Sequence, residues 1–65
     1  MANQALEIFD YIKQNPGARI EDIVEGTGWN MVVVEAATHI MLRQGLIEEI
    51  GRTEWNNPKF KVKGE

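Results

Sequence analysis

Three breaker clusters decide what this chain can fold into: Asn15-Pro16-Gly17, Gly26-Thr27-Gly28 and Gly45. Proline drives the residue before it out of the α region and glycine frees the chain to turn, so each cluster closes one element. The helical pieces between them are too short to stand alone, since helices under about 12–15 residues are marginal in water. They must pack on one another. With 65 residues and no cysteine, the sequence offers neither a disulfide framework nor a thiolate zinc site to staple them. A single domain over residues 1–65 with one apolar core is expected, and three-layer enzyme folds are excluded by size. The longest uninterrupted apolar run, Met31 to Val34, is far below the roughly 20 residues of a membrane-spanning helix. The first residues carry no basic region followed by an apolar stretch, so no signal peptide is read. These features predict a cytoplasmic protein with no membrane partner.

The pieces have distinct periods. Asn3 is placed as an N-cap, and Ala5, Ile8, Phe9 and Ile12 recur at the spacing of one helical face, giving a first helix over residues 4–14. Glu21 and Asp22 sit in the first turn of a short second helix that stops at Gly26, where acids complement the positive end of the helix dipole. Asn30 caps a third helix that runs to Gln44, with Gly45 at the C′ position. From Leu46 the period changes to two. Residues 46–50 and 59–63 read as strands of a hairpin with a long loop. In the second strand Phe60 and Val62 take one face and Lys59, Lys61 and Lys63 the other. In the first strand Leu46 and Ile50 share a face with Glu48 while Ile47 shares one with Glu49, which predicts a bulge or twist.

Helix, short helix, tight glycine turn, long helix and hairpin, in that order, resemble the winged helix-turn-helix family. Ile23 and Val24 match the inward positions of its first helix, Gly28 its turn, Trp29 the apolar position that follows, and Asn30 stands where the family usually has a Ser cap. Gly45-Leu46-Ile47 is similar to the Gly-Leu-Ile with which such recognition helices pass into the wing. The resemblance covers almost the whole chain. It implies an α+β, mainly helical fold of three helices followed by a two-stranded β-hairpin wing. It further implies a DNA-binding transcriptional regulator whose third helix enters the major groove while the wing meets backbone or minor groove. A homodimer is expected, because one such module buries little DNA surface. Turning the third helix at 100° per residue with Val34 inward places Asn30, Ala37, Thr38 and Met41 within about 60° of it and Leu42 just beyond. These residues, with Ile8, Phe9, Ile12, Ile23, Val24, Leu46, Phe60 and Val62, form the expected core.

Charge divides along the chain. The net charge is −3, yet residues 1–50 hold 8 acidic and 3 basic groups whereas residues 51–65 hold 4 basic and 2 acidic. The wing is therefore the cationic surface. The same projection turns Val32, Ala36, His39 and Arg43 outward, with Met31 and Glu35 at the helix start and Val33 and Ile40 at the margin. The candidate contacts to double-stranded DNA are Asn30, Met31, Val32, Glu35, Ala36, His39 and Arg43 on the helix, and Arg52, Trp55, Asn56, Asn57, Lys59, Lys61 and Lys63 on the wing. No Lys or Arg occurs between Trp29 and Leu42, so the helix lacks the usual partners of bases and phosphates. Two blander readings compete for the lysines: they protect an edge strand, or they pair with Glu48 and Glu49 across the hairpin. Trp55 is expected to fold back over the hairpin, because a bare Trp is costly. Val32, Val33, Ala36 and Ile40 form an apolar strip that suits the alternative function, a protein-interaction module binding a second copy or a larger partner. Glu35 and His39 are read as a surface pair four residues apart, and Glu21 and Glu25 as solvated. One His and no Cys argue against a metal. No phosphate loop, nucleophile or cofactor motif points to an enzyme.

Overall fold

The computed structural model describes residues 2–64, with side chains from Gln4 to Gly64. Its elements are α1 (Ala2–Gln14), β1 (Ala18–Arg19), α2 (Ile20–Thr27), α3 (Met31–Arg43), β2 (Ile47–Arg52) and β3 (Pro58–Val62). The three helices and the hairpin appear in the expected order. The sheet, however, has three antiparallel strands in the order β1-β3-β2 rather than two. The extra strand forms because the chain turns at Gly17, whose φ is +91°, and the Gly17 amide donates to the Phe60 carbonyl at 2.8 Å. That bond sets Ala18 opposite Phe60 and Arg19 opposite Lys59.

Helix ends follow local chemistry. Asn3 lies inside α1, which starts at Ala2, so it is not the cap, and its side chain is outside the described residues. α2 runs through Gly26 to Thr27, and the Tyr11 ring occupies the space that a Cβ at Gly26 would need. The first glycine of that cluster thus serves helix packing, and the second makes the turn. Gly28 adopts φ +82° and its amide donates to the Val24 carbonyl at 2.9 Å, a left-handed cap that glycine takes without penalty. Asn30 Oδ1 then accepts the Val33 amide at 2.9 Å, which satisfies one of the free N–H groups opening α3. Asn30 is exposed and belongs to the cap rather than the core. At the other end the Gly45 amide donates to Leu42 at 3.1 Å and the Leu46 amide to Met41 at 2.9 Å, the paired bonds of a Schellman motif.

That motif decides which side chains are buried. Leu46 is consumed by the turn and stays 45% exposed, whereas Ile47 starts β2 opposite Val62 and is 2% exposed. The expectation placed Leu46 inside and overlooked Ile47; successive strand residues alternate faces, so a start one residue later inverts the assignment. Leu42 is also exposed. The observed core is Ile8, Ile12, Ala18, Ile23, Val34, Met41, Ile47, Phe60 and Val62, with Phe9, Val24 and Ala37 half-buried against it. Thr38 is buried among them, and its Oγ1 donates to the Val34 carbonyl at 3.0 Å. The bulge foreseen in the first strand lies between Glu49 and Gly51, where the register against β3 shifts. Gly51 there takes φ +147°.

Candidate nucleic-acid interface

Helix α3 has three usable sides. One is buried through Val34, Thr38 and Met41. Opposite it stands a crest of Val32, Ala36, His39 and Arg43, all exposed; Val32 is 76% accessible. On one flank of the crest, Met31, Glu35, His39 and Leu42 wall a cleft of about 420 Å³ whose other wall is Arg19, Glu21, Asn57 and Pro58. On the other flank, Ile40 joins Leu6, Phe9 and Leu46 around an apolar groove between α1 and α3. The strip of Val32, Val33, Ala36 and Ile40 is therefore narrower than expected. Val33 is half-buried against the core, and Ile40 belongs to the groove rather than the crest.

The cleft between α3 and the wing is held by an anchor absent from the candidate contacts. Asp22 accepts the Arg19 amide at 3.0 Å, its Nε at 3.0 Å and its Nη2 at 2.9 Å. This carboxylate supports the first turn of α2 and fixes the guanidinium at the cleft wall, where Nη1 also meets Glu21 at 3.4 Å. The guanidinium hydrogen bond, followed by that of the Arg19 amide, holds the Asp22 carboxyl below the usual carboxylate range. Reciprocally, the Asp22 hydrogen bond and charge raise the Arg19 pKa. Sequence spacing shows Arg19 and Asp22 as neighbours at a helix start, but not that β1 sets Arg19 beside Lys59. Glu21, expected to be merely solvated, lines the cleft. Among the described residues Glu35 and His39 form no ion pair with each other; both face the cleft.

The wing is ordered by its own side chains. Thr53 Oγ1 accepts the amides of Trp55 and Asn57, each at 3.2 Å, and Arg52 Nη1 donates to the Asn56 carbonyl at 2.9 Å. Asn56 takes φ +67°, a left-handed position that Asn tolerates better than most residues. This turn points Trp55 outward, 74% exposed, so it does not fold back over the hairpin. Asn56 and Asn57 are exposed beside it. Lys61 pairs with Glu48 at 3.7 Å across the hairpin, as expected for one of the lysines, whereas Arg52 pairs at 3.1 Å with Glu49 of its own strand. Lys59 is half-buried and Lys63 exposed. All of these pairs are partly solvated, so a phosphate can compete for the cations.

Among solved structures the chain is similar to a multiple antibiotic-resistance repressor, MarR, from Listeria monocytogenes, with a TM-score of 0.81 at 16% identity over 94% of this chain. It is also similar to the transcriptional regulator SlyA, with a TM-score of 0.77 at 21% identity, again over 94% of this chain. The fold is a winged helix. The likeness is one of backbone path rather than sequence, because no protein-family model and no curated protein matches the chain. The winged helix spans about two-fifths of the two solved chains, 41% and 43% of their lengths. Among the described residues no helix is long and apolar enough to cross a membrane, and no group of three or more His, Asp or Glu side chains gathers as a metal site.

Proposed function

We propose that this winged helix binds double-stranded DNA and serves as the DNA-contacting unit of a transcriptional regulator. The observation that carries the reading is an exposed α3 crest together with a wing that carries Arg52, Lys59, Lys61 and Lys63. A duplex laid across them puts Val32, Ala36, His39 and Arg43 in the major groove and brings its backbone past Arg19 toward Arg52, Lys59, Lys61 and Lys63. Trp55, with Asn56 and Asn57, then reaches the adjacent groove from the wing tip. Asn30 and Met31 open the recognition helix, and Glu35 faces the cleft, where a cytosine or adenine amino group is its only favourable base partner. The backbone likeness to two chains described as a repressor and a transcriptional regulator supports this reading.

The proposal includes a homodimer, since one module of this size covers few base pairs. Sedimentation equilibrium checks that part, and a strict monomer, free and on duplex, removes it. DNA binding itself is tested by Lys59→Glu combined with Lys61→Glu. The double variant, folded by circular dichroism, loses duplex binding. Unchanged affinity in that variant overturns the assignment of the wing.

A further inference from the structure

We infer that Val32 and Ala36 of the recognition helix select thymine through its C5-methyl group, by apolar contact; this rests on the DNA-binding reading above. Three observations carry it. First, the exposed surface at the start of α3 is largely hydrocarbon. Val32 is 76% exposed and Met31 51%, with Ala36 exposed one turn on. The nearest amide, Asn30, has its oxygen committed to the Val33 N–H at 2.9 Å. Second, the wing beside this helix carries Arg52, Lys59, Lys61 and Lys63, and Arg19 stands on the cleft wall opposite α3 next to Glu21, so a duplex seated on the crest meets cations along its backbone. Third, the spacing suits stacked bases. Val32 and Ala36 are four residues apart, about 6 Å along the helix axis, close to the roughly 7 Å of two base-pair steps.

Of the base edges in the major groove, only thymine offers a methyl group, whereas guanine, adenine and cytosine present N7, O6 or amino groups. Pressed against Val32 or Ala36, those polar atoms lose water without gaining a partner, and this is unfavourable. Val32 and Ala36 therefore favour thymines two base-pair steps apart by burying their methyls and disfavour G·C pairs at those positions by stranding their polar edges. Each methyl withdrawn from such a contact lowers affinity about fourfold, and two about fifteenfold.

The test starts by selecting duplexes from a random library with the intact protein and resynthesising one of them with deoxyuridine for thymine. The exchange removes the methyl and leaves the hydrogen-bonding edge unchanged. Enrichment of thymine, with a fall of about fifteenfold on replacing the pair under the helix, is the expected result, and Val32→Ala brings the thymine-to-uracil ratio at one step toward unity. Equal affinity for the thymine and uracil duplexes, with salt-sensitive binding retained, overturns the methyl readout and leaves the DNA-binding function standing. Failure to retain any duplex at low salt overturns both.

Discussion

Replacing Leu46 and Ile47 separately by Ala tests the register on which the wing depends. Ile47 is 2% exposed and lies opposite Val62, while Leu46 is 45% exposed in the turn after α3. Truncating a fully buried Ile removes its transfer free energy and leaves a cavity, about 3 kcal/mol together. Leu46 gives up only about half of a Leu's burial and leaves no enclosed void, so its truncation costs about 1 kcal/mol. A domain of this size has about 3–10 kcal/mol of total stability, and each kcal/mol moves its melting temperature by about 4–8 °C. Circular dichroism melting is then expected to show a fall of about 12–24 °C for Ile47→Ala, or no folded state, against about 4–8 °C for Leu46→Ala. A Leu46→Ala penalty equal to or larger than that of Ile47→Ala refutes the register.

Three further outcomes are expected. Gly28→Ala forces an L-residue to φ +82° and costs about 1–2 kcal/mol in urea denaturation, whereas Asn30→Ala, which removes the cap, costs about 1 kcal/mol. The Asp22 carboxyl titrates below its ordinary range when folded. Its contribution to stability is thus complete above the ordinary Asp range and disappears as pH falls through the depressed value; Asp22→Asn lowers the melting temperature near neutrality and narrows its gap to the parent in acid, and a gap independent of pH contradicts the pairing. Glu48→Gln with Glu49→Gln relieves Lys61 and Arg52 of their carboxylate partners and raises duplex affinity in a low-salt binding titration, more so than at high salt.

Local signals carried most of the fold. The Gly28 turn, the Asn30 cap and the Gly45 stop each depend on side chains or φ values within a few residues, and each stands where its chemistry predicts. The alternation of Lys59, Phe60, Lys61 and Val62 gave the β3 faces for the same reason. Misplaced features depend on longer-range geometry or on a competing local motif. β1 is two residues long and exists only because Gly17 and Ala18 reach the edge of β3, some forty positions away. Leu46 and Ile47 exchanged roles because the Schellman turn absorbs one residue that composition assigns to the strand. Trp55 is held outward by backbone bonds to Thr53, which no hydropathy argument detects. Arg19 escaped notice as a site residue because its cleft neighbours, His39 and Asn57, come from α3 and the wing.

The measurement closest to the central claim is a titration of pooled random duplex DNA, followed by intrinsic fluorescence at two salt concentrations. Trp55 at the wing tip is the reporter, while Trp29 is half-buried with its Nε1 donating to Glu7 at 2.9 Å. The account predicts a Trp55 signal that saturates with DNA and an affinity that falls with salt at a log–log slope of about −3 to −4 per protomer, for Arg52, Lys59, Lys61 and Lys63 each displacing one counterion. No fluorescence change and no measurable binding at low salt would contradict it.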